Sequence, residues 1–120
     1  MPRDDEARLL DMLLAARDAR DFASGLSRER FMADKRTQSA VCLKLETLGE
    51  AARTVTPAFK AAHPQIPWEG LMGLRNRIVH EYFRLDLNIL WQIVQAELPV
   101  LVAQIEPLVP PPPPDPEPEP

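Results

Sequence analysis

Apolar residues recur at helical spacing along separate stretches of this chain, and that repeat leaves little room for anything but packed helices. The cleanest stretch carries Val41, Leu45, Leu48, Ala52 and Val55, whose steps of three and four stack on one face of a helix. Asp34 stands ahead of it as an N-cap, with a carboxylate able to take a backbone N–H that the helix start leaves unpaired. Pro57 is its expected stop. An earlier helix is predicted from about Asp4 to Ser24. Asp4, Asp5 and Glu6 suit the positive end of its dipole, Leu10, Leu13, Leu14 and Arg17 share a stripe, and Gly25 is a natural stop. Leu26 to Ala33 reads as a short turn or helix capped by Ser27. A third long helix enters at Pro67, with Trp68 packed under the entry and Glu69 in the first turn. A fourth opens at Asp86, and its stripe runs through Leu87, Leu90, Trp91, Val94, Leu98, Leu101, Val102 and Ile105. Pro99 has no N–H to give, which predicts a kink or break near Gln95 to Pro99.

The expected fold is therefore all-α, an antiparallel four-helix bundle over residues 1–106 with a kinked last helix. A hydrophobic content of 45 % over 120 residues suits one small domain of this kind. From Pro107 to Pro120 the pattern ends in five consecutive prolines and an Asp/Glu–Pro alternation, which predicts a disordered, polyproline-like tail. A docking ligand for a Pro-binding domain is the alternative for that tail. The net charge of −4 looks wrong for a nucleic-acid binder, but Asp115, Glu117 and Glu119 put three of those charges in the tail. The body is close to neutral, and Lys35/Arg36 and Arg75/Arg77/Arg84 remain as local basic clusters. A membrane span and an N-terminal signal are not expected, because no long apolar run occurs. The single cysteine, Cys42, has no partner for a disulfide, fits a reducing cytoplasm, and reads as a packing residue. The two histidines are not spaced as metal ligands, so neither metal nor cofactor is expected. His63, before a proline in a loop, reads as solvent-facing.

Chemistry concentrates in Leu71–Phe83. This segment holds Arg75, Asn76, Arg77, His80 and Tyr82, the chain's only tyrosine. On a helix, Leu71, Leu74, Ile78 and Tyr82 form a stripe with Arg75 at its flank, while His80 lies roughly opposite. Asn76 precedes His80 by one turn, so its amide can orient the imidazole. Arg75 and His80 stand about 140° apart around the axis, at roughly 100° per residue. They meet by side-chain reach, by the helix ending near Tyr82, or across a partner chain. An imidazole moves protons near neutral pH, and a guanidinium offers a charged fork to phosphate oxygens. Together they suffice to cleave RNA without a metal. The plain alternative is two polar residues on a half-exposed helix. Glu46 and Glu50 on the second long helix read as surface groups, Glu50 pairing with Arg53, or as carboxylates that steady Arg75 or Arg77.

The run Arg75-Asn-Arg-Ile-Val-His80-Glu-Tyr82 resembles the signature of the HepT-like ribonuclease toxins of the HEPN superfamily. Asp34-Lys-Arg-Thr-Gln-Ser-Ala, Leu45-Glu-Thr-Leu-Gly-Glu-Ala-Ala, Ile66-Pro-Trp68 and Asp86-Leu-Asn-Ile-Leu-Trp91 resemble that family's other phrases, in the same order. The resemblance covers most of the chain from Asp34 to Ile105. It implies a small helical HEPN fold and a metal-independent RNase, often a toxin encoded beside a minimal nucleotidyltransferase antitoxin. It maps catalysis onto Arg75 and His80, and maps the tyrosine that the antitoxin modifies with AMP onto Tyr82. Asn76 and Arg77 are the expected substrate contacts. The expected partners are RNA such as tRNA, the nucleotidyltransferase, and a second copy of the chain. The spare apolar faces of the third and fourth helices, with Ile89 and Ile93 off the main stripe, point to the same homodimer. The competing readings are a non-catalytic HEPN binding module serving the nucleotidyltransferase and a bare structural dimer.

Overall fold

Helix starts in this chain are built by side chains that reach back to unpaired backbone N–H groups. Ser27 Oγ accepts from Arg30 N at 3.1 Å, Asp34 Oδ1 from Thr37 N at 3.0 Å, and Asp86 Oδ1 from Asn88 N at 2.9 Å. In the computed structural model, which describes residues 3–111, these caps open α2 (Arg28–Ala33), α3 (Lys35–Thr54) and α6 (Leu87–Gln92). Helix α1 spans Arg3–Phe22, α4 Pro57–Ala62, α5 Trp68–Glu81 and α7 Leu98–Ile105. No strand occurs among the described residues. Hydrogen bonds from Thr37, first its hydroxyl and then its amide, hold the Asp34 carboxyl below its ordinary range.

Helix α3 is the centre of the bundle, packed along α1 on one side and α5 on the other, while α7 closes over α1. Its stripe of Val41, Leu45, Leu48, Ala52 and Val55 is fully buried, and so are Leu90, Val94, Leu98, Leu101, Val102 and Ile105 of the last rod. The all-α bundle is the one expected. Its first helix faces the core differently. Leu9, Met12, Leu13, Ala16, Ala19 and Ala23 are buried, whereas Leu10 and Leu14 are exposed and Arg17 reaches Glu106 at 2.7 Å. Alanines carry little hydropathy, so a pattern reading follows the leucines. Yet a row of small side chains is what lets α1 lie close against α3.

Pro57 does not simply stop α3. The helix ends at Thr54, and Pro57 occupies the first turn of α4, whose cap is Thr56. Pro67 stands at the N-cap of α5, just outside the helix, and Trp68 beneath it donates from Nε1 to the His63 carbonyl at 2.9 Å. The irregularity expected near Pro99 is a π turn, Ile93–Glu97, in which Leu98 N donates to Ile93 O. Proline cannot donate to the carbonyl four residues back and its ring crowds that carbonyl, so one extra residue in the turn relieves the clash. Beyond Glu106 a short 3₁₀ turn carries Leu108 and Val109 against the core, so packing runs past the expected boundary. From residue 112 on, the expected disordered tail lies outside the described residues. No helix among the described residues is long and apolar enough to cross a membrane.

One buried tie has no counterpart in the helix pattern. Asp5 is 1 % exposed, and its carboxylate accepts from Thr56 N at 3.0 Å and Thr56 Oγ1 at 2.7 Å. It pins the start of α1 to the α3–α4 corner. Asp5→Ala strands a backbone donor there, so a loss of about 2–3 kcal/mol in unfolding free energy is expected in urea titration. Asp5→Asn, which keeps an acceptor, is expected to lose less.

Candidate active site

Helix α5 packs against α3 through Leu71, Arg75 and Ile78, with Tyr82 following just past its end. Leu71 and Ile78 are buried, Arg75 is half-buried, and Leu74 turns toward α6. Arg75 is thus part of the packed stripe and not merely its flank. The reason is Gly49. A Cβ on Gly49 would stand 2.4 Å from Arg75 Cβ and 2.6 Å from the Leu71 carbonyl oxygen, so only glycine admits the arginine stem and its helix at this distance.

The guanidinium is held from two directions. Asn76 Oδ1 accepts from Arg75 Nη1 at 3.0 Å, and Glu50 Oε2 lies 3.4 Å from Arg75 Nε. That Nε is buried and has no hydrogen-bond partner, so Glu50 acts on it through charge alone. Glu50 is shared: Arg53 Nη2 donates to its Oε1 at 2.6 Å and Arg53 Nε to its Oε2 at 3.3 Å. The Arg53 contacts, with Arg75 adding to them, hold the Glu50 carboxyl below its ordinary range and therefore charged near neutrality. Of the two roles open to Glu50 in the sequence, the surface pair and the support for Arg75, it fills both. Asn76 spends its amide oxygen on Arg75. No hydrogen bond between Asn76 and His80 is present.

His80 sits in the last turn of α5, exposed and without a hydrogen-bond or ionic partner among the described residues. Arg77 is also exposed. It edges an apolar groove of about 400 Å³ between α5 and the last rod, with Leu74, Ile89, Ile93 and Leu98 in its walls. Arg75 and Arg77 therefore serve different sides of the helix. Tyr82 opens a 3₁₀ turn, Tyr82–Arg84, so the helix does end near Tyr82, without bringing His80 to Arg75. Its ring stands edge-on to Phe83 at 5.6 Å, and Phe83 is 98 % exposed. Tyr82 Oη and Ser39 Oγ lie 2.7 Å apart at an open cleft of about 500 Å³, lined also by Cys42, Leu43, Glu46, Ile78 and Val79.

Within one chain, then, Arg75 and Tyr82 address α3 while His80 and Arg77 point elsewhere. Pattern reading passes over Gly49 and Ser39. The signal for Gly49 was present, because a glycine inside an apolar helical stripe costs about 1 kcal/mol and implies a close approach. Ser39 lies within the Asp34–Ala40 phrase that carries the resemblance, but its spacing gives no signal of its own, since one serine on a helix surface is ordinary.

The remaining candidates fall away. Cys42 is buried, and that burial pushes its thiol up to about 11. It is expected to resist thiol reagents at pH 7–8 in the native state and to label at once in denaturant, as read by absorbance of the released dye. His63 is half-buried, not solvent-facing, and stacks on Phe59 at 4.3 Å. Among the described residues no group of three or more His, Cys, Asp or Glu stands together as a metal cage.

An all-α bundle with an Arg-x₄-His-x-Tyr run that begins on α5 and ends in the 3₁₀ turn after it defines the class of protein. The chain matches the HepT-like ribonuclease family over residues 12–108, most of its length, and it belongs to that family. It is 36 % identical over 110 residues to a protein named "Putative RNase" in Methanocaldococcus jannaschii, covering 91 % of each chain. It is 35 % identical over 108 residues to "Probable ribonuclease HepT" of Thermococcus cleftensis, covering 90 % of this chain and 98 % of that one. A "Putative RNase" of Caldanaerobacter subterraneus is 33 % identical over 82 residues, 68 % of this chain and 73 % of its own. No solved structure matches the chain.

Proposed function

We propose that this chain is a metal-independent endoribonuclease, the toxin of a HEPN/nucleotidyltransferase toxin–antitoxin pair, acting on tRNA or other RNA in the cytoplasm. The observation that carries the reading is the preset guanidinium of Arg75. Glu50 and Asn76 fix it on the Nε and Nη1 sides, while Nη2 has no partner among the described residues and is left for a phosphate oxygen. His80 takes the proton of a ribose 2′-hydroxyl or gives one to the departing 5′-oxygen. Arg75 stabilises the crowded, charged phosphorus centre between those events. Imidazole and guanidinium supply both needs without a metal ion. Asn76 positions Arg75, and Arg77 contacts the RNA backbone.

The angle between Arg75 and His80 favours a homodimer in which each chain completes the other's site. Phe83, Val79 and Ile89, exposed beside the motif, supply apolar area for such a contact. AMP added to Tyr82 brings a negative phosphate and bulk to the edge of the cleft, which repels RNA. Tyr82 is 38 % exposed and borders an open cleft, which supports access by a transferase.

The test uses purified chain with Tyr82 unmodified by mass, incubated with total tRNA in excess EDTA. Cleavage is the expected result. The same angle favours a second reading within a single chain, a binding module that serves the nucleotidyltransferase. RNA or transferase binding with no cleavage by an intact dimer would select it.

A further inference from the structure

We propose that Ser39, flanked by Lys35 and Arg36, positions the Tyr82 hydroxyl and receives the nucleotide phosphate when that hydroxyl is modified. The inference rests on Tyr82 being a nucleotidyl acceptor and adds the residues of this chain that prepare it.

Tyr82 stands where α5 gives way to a 3₁₀ turn, so its backbone alone does not fix the ring. The ring is fixed at its far end. Ser39 Oγ meets Tyr82 Oη at 2.7 Å, an ordinary hydroxyl–hydroxyl hydrogen bond across the α3–α5 cleft. The pair is not sealed in, because Ser39 and Tyr82 are both exposed and the cleft beside them is open. A hydroxyl tethered yet accessible is an acceptor held for attack.

Glu46 lines the same cleft two turns further along α3, and the start of α3 is the side that suits an incoming anion. Ser39 follows Lys35 by one turn and Arg36 by three residues, so both bases flank it on the surface of α3. Both are exposed, and neither forms an ion pair among the described residues, where the cations that do are Arg8, Arg17, Arg20, Lys44, Arg53 and Arg75. In the transfer, Tyr82 Oη forms a bond to the α-phosphorus of a nucleoside triphosphate. The bond from that phosphorus to the bridging oxygen breaks, pyrophosphate leaves, and the phenolic proton passes to water. The new phosphodiester then lies beside the Ser39 hydroxyl, within reach of two cations on long flexible stems.

The test combines purified chain with the nucleotidyltransferase of its own genome and magnesium ATP, and follows AMP addition by intact mass. Adducts on tyrosine can only map to Tyr82, the chain's single tyrosine. Ser39→Ala is expected to slow addition about five- to tenfold with an unchanged melting temperature, and Ser39→Thr, which keeps the hydroxyl, to restore it. Lys35→Glu/Arg36→Glu is expected to slow addition about tenfold in low salt, with the difference shrinking as salt rises. Wild-type rates in Ser39→Ala and in the charge reversal, with wild type itself modified, would overturn the inference. No modification of wild type would instead overturn the reading of Tyr82 on which it rests.

Discussion

Arg75→Ala and His80→Ala are each expected to lower the rate of RNA cleavage by on the order of 10²–10⁴, with folding nearly untouched. The separation of activity from stability is the informative part. His80 is exposed and has no hydrogen-bond or ionic partner among the described residues, so its truncation is expected to remove the proposed proton carrier and leave the fold intact. Arg75 is better packed, yet Glu50 keeps both of its bonds from Arg53 when Arg75 is cut back, and no carboxylate is stranded. Arg75→Lys retains the charge but not the fork. It also loses the arrangement in which Asn76 takes Nη1 and leaves Nη2 free, so it is expected to fall nearer to alanine than to wild type. Cleavage of a labelled tRNA, read beside thermal melts of each variant, checks all three.

Gly49→Val is expected to damage fold and site together. Its Cβ would have to share space with Arg75 Cβ and with the Leu71 carbonyl, a backbone atom that no rotamer change can move. Helix α5 must therefore back away from α3. Overpacking of this kind costs about 1–3 kcal/mol or more, and here it carries Arg75 off Glu50 as well. Gly73 on the motif helix itself is the control, since a Cβ there meets nothing within 4 Å. Gly73→Ala is expected to raise stability by roughly 0.5–1 kcal/mol, because alanine holds a helix better than glycine. Urea midpoints of the two variants should move in opposite directions.

Helix α3 and the last rod could be read from the sequence because each advertises itself twice, by a periodic apolar stripe and by a capping residue. Asp34, Ser27 and Asp86 each cap the helix they announce, and Pro99 marks the π turn before it. What escaped the pattern is contact between elements distant in sequence. The Asp5–Thr56 tie spans 51 residues, and the Ser39–Tyr82 pair spans 43. Neither leaves a local trace, because an acid in a first helical turn and a serine on a surface are both ordinary. The alanine face of α1 was hidden for another reason, since hydropathy weighs leucine over the smaller residue that sets the helix spacing. The motif residues could be named in advance, but which side each one serves could not. Arg75 joins the packed stripe only because Gly49 leaves room for it, and Asn76 spends its amide oxygen on Arg75 rather than on His80.

A proposed RNA-cleaving site made from Arg75 of one copy and His80 of another can be rebuilt by mixing the two dead variants. Arg75→Ala and His80→Ala chains are exchanged in equal amounts, then given tRNA in excess EDTA. Half of the dimers are then mixed, and each mixed dimer holds one site with both groups, so activity should return to about a quarter of wild type. A mixture as inert as its components, beside a wild type that cleaves, would contradict a site shared between chains. A wild type that does not cleave would contradict the ribonuclease itself.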